Sequence, residues 1–126
     1  MKVLICTDGS SLSEKAIETA IAVAKPLNAE LIGITVIAEA AHKSAPETVK
    51  RLKQLEDMMQ EAGLKCTVRP VVAQAPWVGI TETAKEEAVD FVVMASRGMG
   101  SIGSLLLGSE TQKTLSAVDR PVLVVR

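Results

Sequence analysis

An open five-stranded parallel sheet with helices on both faces, an α/β fold, is what this sequence predicts, and three observations predict it. Five short apolar runs alternate with longer stretches of helical period, the order expected of parallel strands joined by crossover helices. The runs are dense in β-branched residues, among them Ile5, Ile32, Ile34, Val92, Val93, Val122 and Val124, and their near-continuous apolarity suits strands buried on both faces. At 126 residues the chain can bury one sizeable core but not two, so residues 1–126 are read as a single domain.

The first run, Lys2–Thr7, precedes a helix marked by Ala16, Ile17, Ala20, Ile21 and Ala24; Ser11 and Glu14 have capping-box spacing, and Pro26 is read as its stop. The second run, Glu30–Ile37, leads into the one loose segment, Ile37–Ser44. Ser44 and Glu47 form a second capping box, Pro46 suits an early helical position, and Val49, Leu52, Leu55, Met59 and Ala62 make one stripe before Gly63. After the third run, Cys66–Val72, a helix over Pro76–Ala88 is expected to turn Trp77, Ile80, Ala84 and Ala88 inward, with Glu82, Lys85, Glu86 and Glu87 facing solvent. The fourth run, Asp90–Ala95, is followed by a glycine-rich stretch and a short helix over Ser109–Val118. The fifth run, Pro121–Arg126, begins with a residue that cannot donate to a ladder, which fits a strand start or an edge.

Composition narrows the function classes. The 14 basic and 15 acidic side chains nearly cancel, leaving no field to gather nucleic acid or anionic lipid. Phe91 and Trp77 are the only aromatics, too few for a platform on which single-stranded bases stack. No apolar run reaches the roughly 18 residues of a membrane span, and the N-terminus has no signal-peptide pattern, so a cytoplasmic protein is expected. Cys6 and Cys66 match neither a disulfide framework nor a metal site and are read as reduced, buried filler.

In open parallel sheets, ligands collect beyond the carboxyl ends of the strands, where strand order reverses. Two such segments carry chemistry. Thr7-Asp8-Gly9-Ser10-Ser11 follows the first run and offers a carboxylate and hydroxyls on a tight turn. Ser96-Arg97-Gly98-Met99-Gly100-Ser101-Ile102-Gly103-Ser104 follows the fourth and offers amides, hydroxyls and one cation. Gly98, Gly100 and Gly103 match the dinucleotide fingerprint superficially, but Gly108 interrupts the helix such a site needs and only one further strand follows. No Gly-Lys-Ser/Thr occurs, which excludes a P-loop. Gly108-Ser109 opens the last helix, with Ser109 read as its cap, and amides at a helix start favour phosphate. An ordinary capped, glycine-rich loop would look the same.

The segments Thr7-Asp8-Gly9-Ser10, Val92-Val93-Met94-Ala95-Ser96-Arg97-Gly98, Leu105-Leu106-Leu107-Gly108-Ser109 and Arg120-Pro121-Val122-Leu123-Val124-Val125 together resemble the universal stress protein family, in order and across essentially the whole chain. The resemblance implies a Rossmann-like sheet of order 3-2-1-4-5, of the adenine nucleotide alpha hydrolase-like type. It implies an adenine-nucleotide site, ATP in the first instance with Mg on its phosphates, in a homodimer paired through the Pro121–Arg126 strand. By the same resemblance Thr7 and Asp8 would face the adenine and ribose, Val36 the base, and Met94, Ala95, Arg97 and Gly98 the sugar and phosphates. Gly108, Ser109, Glu110 and Thr111 would meet the phosphates from the other side.

The family's phosphate loop reads Gly, two residues, Gly, nine residues, Gly, then Ser or Thr. Here the spacing is kept, with Ala95 in place of the first Gly and Gln74 where the family often has Gly before a residue and Pro. Ala95 would be strained if the backbone there took a positive φ, and Glu110 would repel phosphate unless its side chain turned away. Two readings follow: a nucleotide-responsive regulatory protein that signals to a protein partner in the stress response, or an interaction module of the same family that binds no nucleotide. Turnover of ATP needs a positioned water, a base and charge neutralisation. Asp8 is the only candidate base in the two loops and the lone histidine, His42, lies in the loose segment, so no catalysis beyond very weak hydrolysis is expected. An adenylate-forming or electron-transfer flavoprotein type of enzyme ranks last, because no Ser-Gly-Gly loop occurs.

Overall fold

The computed structural model describes residues 1–98 and 107–126. The strands are β1 (Lys2–Cys6), β2 (Glu30–Ile37), β3 (Cys66–Val72), β4 (Phe91–Ala95) and β5 (Val122–Val125), and the helices are α1 (Ser11–Leu27), α2 (Pro46–Glu61), α3 (Pro76–Glu86) and α4 (Ser109–Ala117). The strands form one sheet in the order β3-β2-β1-β4-β5, and every pairing is parallel. Strand order therefore reverses at β1, whose neighbours are β2 and β4. The expected α/β architecture and strand order are both present.

Because strand side chains alternate, each strand feeds two cores. Val3, Ile5, Leu31 and Val93 pack against Ala16, Ile17 and Ala20 of α1 and Leu55 and Met59 of α2. Leu4, Ile32, Ile34, Val92 and Met94 face the other way, onto Ile80 and Ala84 of α3. At Gly33 the chain lets α2 in close: a β-carbon there would lie 2.5 Å from Leu55 Cδ2. Burial on both faces explains why the central strands show no polar alternation.

Helix ends differ from the sequence expectation by small steps with identifiable causes. Ser10, not Ser11, caps α1, its hydroxyl accepting the Ser13 N–H at 3.2 Å. Pro26 does not stop that helix; it sits in the last turn, and the chain leaves through Asn28 at φ 49°. Ala45 takes the cap position of α2 without a side-chain bond, and a 3₁₀ turn over Ala40–Ser44 fills the segment expected to be loose. Ala88 is exposed rather than inward, because a φ of 50° reverses the chain and gives the buried place to Val89.

One turn recurs at the ends of α1, α2 and α3. The N–H of Asn28, Gly63 and Ala88 donates to the carbonyl three residues back, and the next N–H, on Ala29, Leu64 and Val89, donates five residues back. This is the Schellman arrangement, and its left-handed residue is Asn28, Gly63 or Ala88. Each such turn delivers the chain into the amino end of the following strand. The carboxyl ends, at the opposite rim, are left to the site.

Candidate functional site

A cleft of about 320 Å³ lies at the carboxyl ends of β1 and β4, beside the point where strand order reverses. Of the residues expected to bind ligand, Asp8, Met94, Ala95, Arg97, Gly98, Gly108, Ser109, Glu110 and Thr111 all line it. Residues 99–106, the middle of the expected phosphate loop with Gly100 and Gly103, lie outside the described residues.

The β1 side of the cleft is held by its own hydrogen bonds. Thr7 is buried and does not line the cleft. Its N–H donates to Ile34 O at 3.0 Å, its carbonyl accepts from Thr35 Oγ1 at 2.8 Å, and its hydroxyl accepts the Gly9 N–H at 3.1 Å and bonds Ser13 Oγ at 3.0 Å. Ser13 in turn donates to Ser10 O at 2.9 Å. Asp8 Oδ1 accepts the Ser10 N–H at 2.9 Å, the usual local bond of an aspartate at a turn. The other oxygen reaches across to the segment after β4: a β-carbon on Gly98 would lie 2.7 Å from Asp8 Oδ2. Gly98 is thus required for Asp8 to sit where it does.

Gly108, not Ser109, is the cap residue of α4, and among the described residues no side chain caps the helix. Ser109 is the first helical residue and is exposed. Gly108 is needed for closeness rather than for an unusual backbone: its φ is −64°, its N–H donates to Ser96 O at 2.8 Å, and a β-carbon would lie 3.1 Å from Arg97 Cα. The first helical amides, on Ser109, Glu110 and Thr111, have no acceptor within the helix. They stand at the positive end of its dipole, where an anion is favoured.

Three further side chains have partners of their own in the fold. Thr111 is buried and its hydroxyl donates to Ala95 O at 2.9 Å, tying α4 to the end of β4, so its side chain holds the wall. Glu110 neither turns out to solvent nor hangs loose; its Oε2 accepts the Trp77 N–H at 3.0 Å and caps the start of α3. Val36 lies outside the cleft, packed so closely on α3 that a β-carbon on Gly79 would be 2.7 Å from its Cγ2, and it lines a neighbouring hollow with Ile37, Thr48 and Arg51. Ala95 is the last residue of β4 and is not among the positive-φ residues, so the strain expected of it there does not arise.

Sequence reasoning passed over Cys6, Ser13, Pro76 and Ile80, which also line the cleft. Pro76 follows β3 at the same carboxyl rim and Ile80 lies one helical turn on; weighing the turn after β3 with the other two would have found both. Cys6 is partly exposed rather than buried filler. Dense protein around it pushes its thiol up to about 12, with the charge of Asp8 adding to this and a backbone bond involving Val36 opposing it. Burial, and secondarily Glu56, also raises Cys66. Among the described residues no group of three His, Cys, Asp or Glu side chains could hold a metal ion, and no helix is long and apolar enough to cross a membrane.

A parallel sheet of order 3-2-1-4-5 with a cleft at its switch point defines the doubly wound α/β class, whose ligands bind at that crevice. Within that class, the sequence pattern of the universal stress protein family matches residues 1–126, and the chain belongs to this family. It is 31% identical to a universal stress protein of Methanocaldococcus jannaschii over 99% of this chain and 81% of that one. It is equally 31% identical to a universal stress protein of Bacillus subtilis, over 99% of this chain and 98% of that one. A universal stress protein solved in complex with cAMP superposes with a TM-score of 0.82 at 31% identity, covering 100% of this chain and 96% of the other.

Proposed function

We propose that this chain is an adenine-nucleotide-responsive regulatory protein of the stress response, working in the cytosol as a homodimer, whose nucleotide sits in the cleft between the β1 turn and α4. The observation that carries this reading is the pairing of an uncapped helix start at Gly108-Ser109 with Arg97 and Gly98 across one cleft at the switch point. Amides and a cation facing one space supply what a phosphate needs. The cAMP complex of a related protein, similar over its whole length, supports the same ligand class. ATP is the form the family resemblance implies, and Mg would travel with its phosphates.

The role is binding rather than turnover. The two carboxylates of the cleft are engaged, Asp8 with the Ser10 N–H and Glu110 with the Trp77 N–H, and the expected output is a changed contact with a protein partner. Pairing would use β5, an edge of the sheet, where Leu123 is exposed and an unpartnered edge tends to be covered. A monomer in sedimentation at micromolar concentration would count against the pairing, and ATP hydrolysis at enzyme-like rates, abolished by Asp8→Ala, against the binding role.

The direct test is to denature the purified protein and identify any released nucleotide by mass, then to titrate nucleotide into the emptied protein. A ligand at a hundredfold its Kd stabilises the fold by about 2.7 kcal/mol, which a thermal shift reads easily. In Gly108→Val, whose side chain would press on Arg97 Cα, that shift is expected to vanish while the fold persists. The second reading, an interaction module without nucleotide, is favoured by Glu110 standing in the cleft wall. It predicts an empty protein and no thermal shift with any adenine nucleotide.

A further inference from the structure

β3 and β5 are the outer strands of the sheet, so each has one row of backbone groups turned away from its neighbour. Within a strand, a residue aims its N–H and C=O to the same side, and successive residues alternate sides. On β3 the phase is fixed at both ends: Lys65 O accepts the Leu31 N–H at 2.9 Å, and the Ala73 N–H donates to Ile37 O at 3.0 Å. The register runs unbroken in between, from Leu31 opposite Cys66 to Ile37 opposite Val72. Thr67, Arg69 and Val71 therefore bond β2, and Cys66, Val68, Pro70 and Val72 turn their backbone groups outward. Pro70 has no N–H to offer there, and its ring stands where a pairing strand would bring a carbonyl.

β5 also follows a proline, and there the consequence is reversed. Pro121 O accepts the Val92 N–H at 2.9 Å, and Val125 O accepts the Ser96 N–H at 2.7 Å. The donor that Pro121 lacks would thus have pointed at β4, and the outward amides of β5, on Val122 and Val124, are intact. One outer row of the sheet is broken and the other is whole.

Length and composition alone would choose the opposite edge for pairing. β3 has seven residues and β5 four. β3 carries Thr67, Val68, Val71 and Val72, the last of them exposed, a composition that favours strand addition. Pro70 lies between Val68 and Val72, so β3 has no run of three outward donors.

We infer that Pro70 closes the β3 edge to strand addition, so that pairing of this chain with another strand is confined to β5 and ends at two copies. The limit of two rests on the homodimer reading above; the closure of β3 does not. With two usable edges, each added copy would present a fresh edge and the assembly would stay open.

The experiment compares the full chain with Pro70→Thr, which restores an outward amide, by sedimentation over rising concentration and by amide exchange read residue by residue. The unaltered chain should hold at no more than two copies, and Pro70→Thr should grow beyond whatever size the unaltered chain has. In the larger species, exchange at Val68 and Val72 should slow by about tenfold or more relative to the unaltered chain. Adding Val68→Pro to Pro70→Thr moves the gap to the next outward position, with no ladder bond to β2 lost, and should restore the original size. A Pro70→Thr protein with the native circular dichroism and the original size would overturn the proposal. So would assembly that persists in the double variant, or slow exchange at Val68 and Val72 in the unaltered chain. Loss of the native circular dichroism in both Pro70→Thr and Pro70→Ala would overturn it too, since Pro70 would then serve the strand itself. A monomeric unaltered chain would remove the homodimer reading alone, and growth of Pro70→Thr from one copy to two would still support the closed edge.

Discussion

The two turns that face each other across the cleft solve opposite problems. The β1 turn spends its polar groups on itself: Thr7, Ser10 and Ser13 bond one another or nearby backbone, and Thr35 Oγ1 ties Thr7 O to β2. The start of α4 leaves its first amides without an intrahelical acceptor and, among the described residues, carries no side-chain cap. A turn whose donors and acceptors are satisfied positions a group, here Asp8. A turn whose donors are left over is suited to recruit one. Sequence composition hardly separates the two, since both are Gly-Ser turns beside a helix.

If that contrast is right, damage to the first turn should show in stability and damage to the second in ligand binding. The largest stability effect should come from alkaline pH through Cys6, which leads into the β1 turn. Its folded value of about 12 lies above the ordinary 9.0, so the unfolded chain gives up the proton first. The stabilisation is complete below about pH 9 and is lost as pH rises from about 9 toward 12. Urea melts across that range should lose stability more steeply for the unaltered chain than for Cys6→Ala.

Next in size, Thr7→Val keeps the shape but removes one of the two partners of Ser13 Oγ and the acceptor of the Gly9 N–H, and should cost about 1–3 kcal/mol by chemical denaturation. On the α4 side, Ser109→Ala should change stability by less than about 0.5 kcal/mol, because Ser109 is exposed and caps nothing. It should still weaken nucleotide binding by about three- to tenfold, the loss of one hydrogen bond to a charged group. The reverse outcome, a stable Thr7→Val and an unstable Ser109→Ala, would sink the comparison.

Much of the fold was legible in the sequence because strands buried on both faces print as dense β-branched runs; β2 and β3 keep the predicted limits, Glu30–Ile37 and Cys66–Val72. Helix ends were less legible, since capping is decided by which hydroxyl reaches which amide: Ser10 and Ser11 are equivalent on paper, and only Ser10 reaches the Ser13 N–H. The cleft itself was readable from the rule that ligands gather after strands, which brought nine of the expected residues to one space. What stayed hidden were long-range contacts. Nothing near Glu110 in sequence announces that Trp77, 33 positions away, would donate its N–H to it, or that Val36 would be used up in packing on Gly79.

The three Schellman turns sit at the rim opposite the cleft, and they are not equally well served. Gly63 is at ease in the left-handed conformation and Asn28 tolerates it, whereas Ala88, at φ 50°, holds it with an ordinary side chain. Its methyl is exposed and supports nothing in the core. The molecule therefore carries a reserve of stability about as far from the cleft as the sheet permits. Ala88→Gly should release about 0.5–1 kcal/mol, the left-handed strain less the extra entropy of an unfolded glycine, raising the melting temperature while nucleotide affinity stays the same. In a domain built this way, robustness can be tuned at one rim without touching the cleft at the other.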